Sequence, residues 1–215
     1  MAKKNFLKKG VFITFEGPEG SGKSTHARLL FEFLKKRGLD CIFTREPGGT
    51  LIGDRIREIL LERKNVCMNS ACELFLFEAS RAQIVDEVIM PALEKGRIVV
   101  CDRFYDATVA YQGFGAGFDI DLIKSLNAFA TMSLKPDLTI LLDIGPEAGL
   151  KRSLCKGKHD RMESKSLDFH RKVRHGYLKL AKDEPKRIKV FKSHKTINEI
   201  QNDIRKTVLG CLSKI

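Results

Sequence analysis

Residues 11–25 read VFITFEGPEGSGKST. The opening run, Val11–Phe15, has no polar alternation and predicts a strand buried on both faces. The next eight residues, Gly17-Pro18-Glu19-Gly20-Ser21-Gly22-Lys23-Ser24, satisfy the pattern GxxxxGK[ST] in full. The stretch Thr25–Lys36 then sets Leu29, Leu30, Phe33 and Leu34 on one face of a helix. Strand, glycine-rich turn and helix start form the context that a phosphate cradle requires. The glycines let the backbone curl closely around phosphate oxygens with N–H groups pointing inward. The helix start adds its positive end. Lys23 is placed to bridge the β- and γ-phosphates, and Ser24 to hold Mg²⁺. Gly17 to Ser24, with Thr25 behind them, therefore make a candidate ATP site. A plain glycine-rich turn needs neither the lysine nor the hydroxyl.

Working outward, four more short apolar runs read as buried strands: Cys41–Thr44, Ile98–Cys101, Leu138–Leu142 and Ile188–Phe191. Amphipathic stretches separate them: Ile52–Leu61, Ala71–Leu93, Asp119–Met132, Glu147–Cys155, Leu167–Ala181 and Thr196–Leu212. Asn69 or Ser70 serves as N-cap of the long 71–93 helix, which stops near Gly96, and Pro91 should end or kink it. This alternation predicts an α/β fold of the P-loop NTPase kind, a five-stranded parallel sheet with helices on both faces. No repeat or low-complexity linker divides residues 1–215, and one domain accounts for them.

Composition limits the function classes. With 43% hydrophobic and 31% charged residues the chain is not a mostly disordered one. No apolar run approaches the 18 residues of a membrane span. The lysines of MAKKNFLKKG precede an apolar stretch too short for a secretory core, so a cytoplasmic location is expected. The net charge of +12 is uneven: residues 1–150 balance at 20 basic and 20 acidic, whereas residues 151–215 hold 19 basic and 7 acidic. A basic third can be a nucleic-acid face, but no aromatic–basic alternation accompanies it, and no nucleic-acid partner is expected. The six cysteines form no CxxC pair, and His170 and His175 lack the spacing of a helical zinc pair.

P-loop proteins include GTPases, motors and small kinases. No NKxD string is present to read guanine, and the chain is short for a motor. A small kinase needs a second anionic pocket, and one is indicated. Thr44-Arg45-Glu46-Pro47-Gly48-Gly49-Thr50 directly follows the second strand, at a strand C-terminus where α/β proteins bind ligands. Arg45 there suits a phosphate dianion. Asp102-Arg103 closes the strand 98–101, with Asp102 placed to assist Mg²⁺ and Arg103 to offer another fork. Asp143, at the end of 138–142, competes for the metal role or caps the next helix.

Together, FEGPEGSGKST, TREPGGT, FEASRAQ, CDRFYDATVAYQG, KPDLTILLD, GLKR, DRMES and DFHRKVRHGYLKLA resemble the thymidylate kinase family, of the bacterial kind, in order and spacing from about Val11 to Ala181. The resemblance implies transfer of the γ-phosphate of ATP, with Mg²⁺, to dTMP. It implies that Arg45 and Arg103 grip the dTMP phosphate and that Phe77 stacks on thymine. Read alone, Phe77 is more often core, since Leu74, Phe75 and Leu76 adjoin it. Arg81, four residues on, would donate to the base, its alternative being an ion pair with Glu78. Thr108 would meet the base, while Tyr111 and Gln112 would line the sugar side. Glu19 would approach sugar and phosphate. A basic lid, about residues 152–165, would supply the cation that the P-loop lacks. Arg152, Lys156, Lys158 and Arg161 all compete for the γ-phosphate, Lys156 standing where several relatives carry arginine. The resemblance further implies a homodimer, for which the apolar 71–90 helix could supply the face.

Overall fold

The computed structural model describes residues 10–155, 160–193 and 195–213. Five parallel strands form one sheet: β1 (Val11–Glu16), β2 (Cys41–Arg45), β3 (Ile98–Asp102), β4 (Leu138–Asp143) and β5 (Ile188–Lys192), in the order β2-β3-β1-β4-β5. The helices are α1 (Lys23–Lys36), α2 (Leu51–Leu61), α3 (Ser70–Ile84), α4 (Met90–Glu94), α5 (Tyr105–Thr108), α6 (Ile120–Ala130), α7 (Pro146–Leu154), α8 (Leu167–Asp183) and α9 (Ile197–Leu212).

Strand alternation divides the core. Val11, Ile13, Phe15, Ile98, Val100, Ile140 and Leu142 pack against Ala27, Leu30 and Leu34 of α1 and Ile200, Ile204 and Val208 of α9. On the other face, Phe12, Val99 and Cys101 meet Ile84, Val85, Ile89 and Ala92, while Leu141 meets Val173 and Tyr177 of α8. Helices therefore cover both faces, which is why the central strands read as unbroken apolar runs. The two edge strands differ from that expectation. In β5 only Ile188 is buried, Val190 and Lys192 being exposed, and in β2 only Cys41 and Thr44 are buried. Each lacks a neighbour on one side, and the helices do not fully roof it.

Pro91 does not stop the 71–93 helix. Asn69 caps α3 by accepting from Ala71 N, and the helix then widens into one π segment, Val85–Ile89, in which Met90 N–H reaches back to Val85 O. Proline has no N–H and its ring crowds the carbonyl four residues earlier, so the wider turn before it lets α4 continue.

The register sets the site. Arg45 of β2 and Phe15 of β1 both pair with Asp102 of β3, so the C-terminal ends of three strands fall in one row. The P-loop, the TREPGG turn and Arg103 leave the sheet side by side there, at the edge where open α/β sheets bind ligands.

Candidate active site

The turn Gly17–Gly22 leaves β1 with positive φ at Gly17, Gly20 and Gly22 (144°, 67° and 90°). At Gly17 a Cβ would strike the Leu142 carbonyl of β4, and at Gly20 it would strike the backbone of Gly149 in α7. Only glycine permits that fit. Gly22 is the N-cap of α1 without a side-chain cap, and no acidic residue occupies the first turn. The first N–H groups of α1 are thus left for an external anion. Lys23 lies over this turn, its Nζ 3.3 Å from Pro18 O and 3.6 Å from Glu19 Oε2. Burial and the nearby Arg103 pull its ammonium below the ordinary value. Ser24 and Thr25 are exposed, and Ser193 Oγ ties the loop after β5 to Ser21 O at 3.0 Å.

A cavity of about 290 Å³ opens beside this cradle. It is lined by Lys23, Ser24 and Glu19 from the P-loop, and by Arg45, Phe77, Arg81, Asp102, Arg103, Thr108, Tyr111 and Gln112. The structure brings all of these sequence-derived candidates to one place.

Arg103 is the hub. It holds a positive φ of 73°, unusual for a non-glycine residue. Its Nη2 donates to Glu19 Oε1 at 2.6 Å and to Tyr111 OH at 3.1 Å, and its Nη1 to Tyr177 OH at 3.1 Å. Tyr111 OH also donates to Glu19 Oε1 at 2.6 Å. Although burial favours the neutral acid, Arg103 and Lys23 bring the Glu19 carboxyl down to about 2. Below this layer Glu16 accepts from Phe104 N at 2.6 Å and from Tyr177 OH at 2.8 Å. Burial and Asp106 push the Glu16 carboxyl up to about 8 despite those donors.

Phe77 is half-buried, lines the cavity and belongs to none of the apolar core clusters. Arg81 is only 1% exposed. Its Nε donates to Glu46 Oε2 at 2.8 Å, and its Nη1 to Glu78 Oε1, Thr108 Oγ1 and Asn127 Oδ1 at 2.9–3.0 Å. The ion pair with Glu78 anticipated as an alternative is present, yet the side chain still borders the cavity. Arg45 is half exposed, with Nη2 3.6 Å from Asp54 Oδ1. Asp102 Oδ1 is buried without a hydrogen-bond partner, whereas both oxygens of Asp143 are taken by Arg174 at 2.7 and 2.8 Å. That pairing leaves Asp143 poorly suited to a metal.

The expected lid cations fare differently. Arg152, on α7, is exposed and donates to Ser193 O at 3.3 Å. Lys156 and Lys158 lie outside the described residues. Arg161 departs from expectation: it is 6% exposed, with Nε on Leu60 O at 2.9 Å and Nη1 on Glu73 Oε2 at 2.6 Å. A buried carboxylate holds it in the protein wall, and it is not among the residues that line the cavity. Sequence reasoning passed over Arg57, which lines the cavity and donates to Pro47 O at 2.8 Å, and Glu46, the carboxylate that anchors Arg81. The signal for Glu46 was its place inside TREPGG. Arg57 sits one residue from Ile56 at the helical spacing, and nothing local marks it.

A P-loop on a five-stranded parallel sheet, with a second cation-lined pocket at the same strand ends, defines a P-loop NTPase of the small-kinase kind. The family model described as "Thymidylate kinase" matches residues 15–204. The chain is 50% identical over 195 residues to the thymidylate kinase of an Exiguobacterium strain, covering 91% of this chain and 92% of that one. It is 47% identical to that of Kosmotoga olearia, covering 95% and 98%. The crystal structure of thymidylate kinase from Ehrlichia chaffeensis superposes with a TM-score of 0.77 at 35% identity, covering 94% of this chain and 99% of that one. The chain belongs to the thymidylate kinase family, and it is an ATP-dependent phosphotransferase.

Proposed function

We propose that the cavity holds dTMP and the P-loop holds ATP, so that each side chain described above has a stated part in the family's reaction, ATP + dTMP giving ADP + dTDP. The observation that carries this reading is that Glu19, a P-loop residue, is bonded to both Arg103 and Tyr111 of the second pocket. The two subsites share a wall, and an acceptor phosphate on Arg45 and Arg103 would face the cradle end-on.

In this arrangement Phe77 stacks on thymine, Arg81 and Thr108 face its polar edge, and Tyr111 and Gln112 lie along the sugar. The attacking phosphate oxygen is already anionic at neutral pH, so no general base is required. Alignment and charge neutralisation supply the catalysis. Lys23 meets the transferring group, and Arg152 approaches the triphosphate from α7, whose Gly149 packs against Gly20. Of the expected lid cations, Arg152 and Lys156 keep their proposed part, while Arg161, held by Glu73, is better suited to fixing the wall beside the acceptor pocket.

The residues present fit Mg²⁺. Asp102 offers a buried, unpartnered carboxylate oxygen, and the exposed Ser24 lines the same cavity. Among the described residues no group of three acidic, histidine or cysteine side chains could cage a cation alone. That suits an ion taking most ligands from water and phosphate. Bound there by Ser24 and Asp102, Mg²⁺ would neutralise charge on the phosphates.

The same reading makes the enzyme a cytoplasmic homodimer with no nucleic-acid partner. Cys67, Cys72, Cys101 and Cys155 are free thiols, as a reducing compartment allows. Exposed Phe75 on α3 gives that helix an apolar face for a second copy. No helix of the described residues is long and apolar enough to cross a membrane.

The test is ADP release from Mg–ATP with dTMP, dUMP, UMP, CMP, AMP and single-stranded DNA offered separately. Strong preference for dTMP is expected. Equal activity with the ribonucleotides would remove Tyr111 and Thr108 from the selecting role, and activity only with DNA would overturn the acceptor pocket.

A further inference from the structure

One buried carboxylate outside the phosphate-binding set joins the wall of the acceptor pocket to the segment that follows α7. Glu73, in the first turn of α3, is 4% exposed. Its Oε1 accepts from Gln112 Nε2 at 2.9 Å, and its Oε2 accepts from Arg161 Nη1 at 2.6 Å. Gln112 borders the acceptor cavity. Arg161 is fixed a second time, by Leu60 O at the end of α2. Two residues beyond Arg161, Glu163 accepts from Ser153 Oγ of α7 and donates its N–H to Asp160 Oδ1 at 2.9 Å. Four residues before Ser153, Gly149 lies backbone to backbone against Glu19 and Gly20 of the P-loop. A series of close contacts joined by short stretches of chain thus runs from the acceptor wall to the P-loop without passing through Arg103.

We infer that Glu73 is a positioning residue that couples occupancy of the acceptor pocket to the geometry of the P-loop, through Arg161, Glu163 and α7. The inference rests on the assignment of dTMP to the cavity. Its physical basis is the cost of leaving a buried charged group without its partner. A ligand that draws Gln112 toward the cavity strips Glu73 Oε1 of its donor unless Glu73 follows, and Glu73 cannot follow without pulling on Arg161, which Leu60 O holds in turn. The group moves as a unit, and α7 moves with it or resists. Such coupling acts equally in both directions: ATP in the cradle favours dTMP in the pocket, and the converse.

The test is calorimetric titration of dTMP into the intact protein, with and without saturating Mg–AMPPNP, a non-hydrolysable ATP analogue. For the wild type, the analogue is expected to tighten dTMP binding by about five-fold or more. Glu73→Gln keeps the side-chain size and removes the charge that holds Arg161. The expected result is a coupling factor within about two-fold of unity, with the affinity for dTMP alone changed by less than about three-fold. A merely structural role would lower the melting temperature and leave the coupling factor in place. Arg161→Lys keeps the charge but cannot reach Glu73 and Leu60 O together, so its coupling should fall between the two, and it carries the test if Glu73→Gln does not fold. Wild-type coupling in either folded variant overturns the inference and assigns the communication to the direct Glu19–Arg103 contact. A wild type that binds dTMP with no coupling overturns it as well. Failure of the wild type to bind dTMP at all would instead overturn the acceptor assignment, and the inference with it.

Discussion

Arg103 Nη2 and Glu19 Oε1 lie 2.6 Å apart, one at the end of β3 and the other inside the P-loop. In the proposed arrangement this pair closes the boundary between donor and acceptor subsites, and it favours an ionised Glu19 and a charged Arg103. A guanidinium held in this way is oriented before a phosphate arrives, which reduces the ordering cost of binding.

Lys23→Ala should lower turnover by about a hundred-fold or more, since it removes the buried charge proposed to meet the transferring group. Affinity for dTMP should change little, because Lys23 faces the cradle. Steady-state rates with a separate dTMP titration check this. Full turnover in the variant would remove the P-loop from the mechanism.

Phe77→Ala should raise the KM for dTMP about ten-fold, in line with the ~1–3 kcal/mol of an aromatic–base stack. Because Phe77 is half-buried and outside the core clusters, the melting temperature should shift by less than about 4 °C. A large fall in melting temperature with an unchanged KM would return Phe77 to the core.

Glu16 gives a pH prediction with a definite sign. Its carboxyl sits near 8 in the folded chain, far above its ordinary 4.5, so between those values the folded state binds more protons than the unfolded one. Stability must therefore fall as pH rises through this window, by up to about 1.4 kcal/mol per pH unit from this group. Glu16→Gln mimics the protonated acid and should lose that slope. Urea unfolding of both proteins at pH 5.5, 7 and 8.5 checks it: the variant should gain on the wild type with each step. Parallel profiles would refute the assignment.

Arg187→Ala should cost about 3–5 kcal/mol in urea unfolding. Arg187 donates to Asp106 at 2.6 and 2.8 Å and to Thr139 Oγ1 at 2.8 Å, and Asp106 is 1% exposed. Removing the arginine strands a buried carboxylate within α5. The double variant Asp106→Asn with Arg187→Met should recover part of the loss.

The sequence carried the strands, the P-loop and its helix because their signals are local: unbroken apolar runs, three glycines and a lysine at fixed spacing. Arg45, Asp102 and Arg103 were legible for the same reason, each standing at or directly after the end of a strand. The helix Tyr105–Thr108 and the π segment Val109–Gly115 behind it escaped periodicity, since Val109 to Gly113 are all buried and no polar face marks the turn. Thr108, Tyr111 and Gln112 sit on that segment and were named through family resemblance alone. The partners of Arg81 and Arg161 escaped too. Glu46 lies 35 residues from Arg81, and Glu73 lies 88 from Arg161, distances over which no local pattern pairs a charge. In a basic loop a buried arginine and a solvated one look alike.

The backbone of Arg103 has a consequence of its own. A φ of 73° is costly for any residue with a Cβ, on the order of 1 kcal/mol or more, and glycine would relieve it. Replacing Arg103 by glycine would also delete the fork that meets Glu19, Tyr111 and Tyr177. That relief would be outweighed by leaving the nearly buried Glu19 carboxylate without its guanidinium, so selection for heat resistance alone would retain the arginine, and the backbone strain with it.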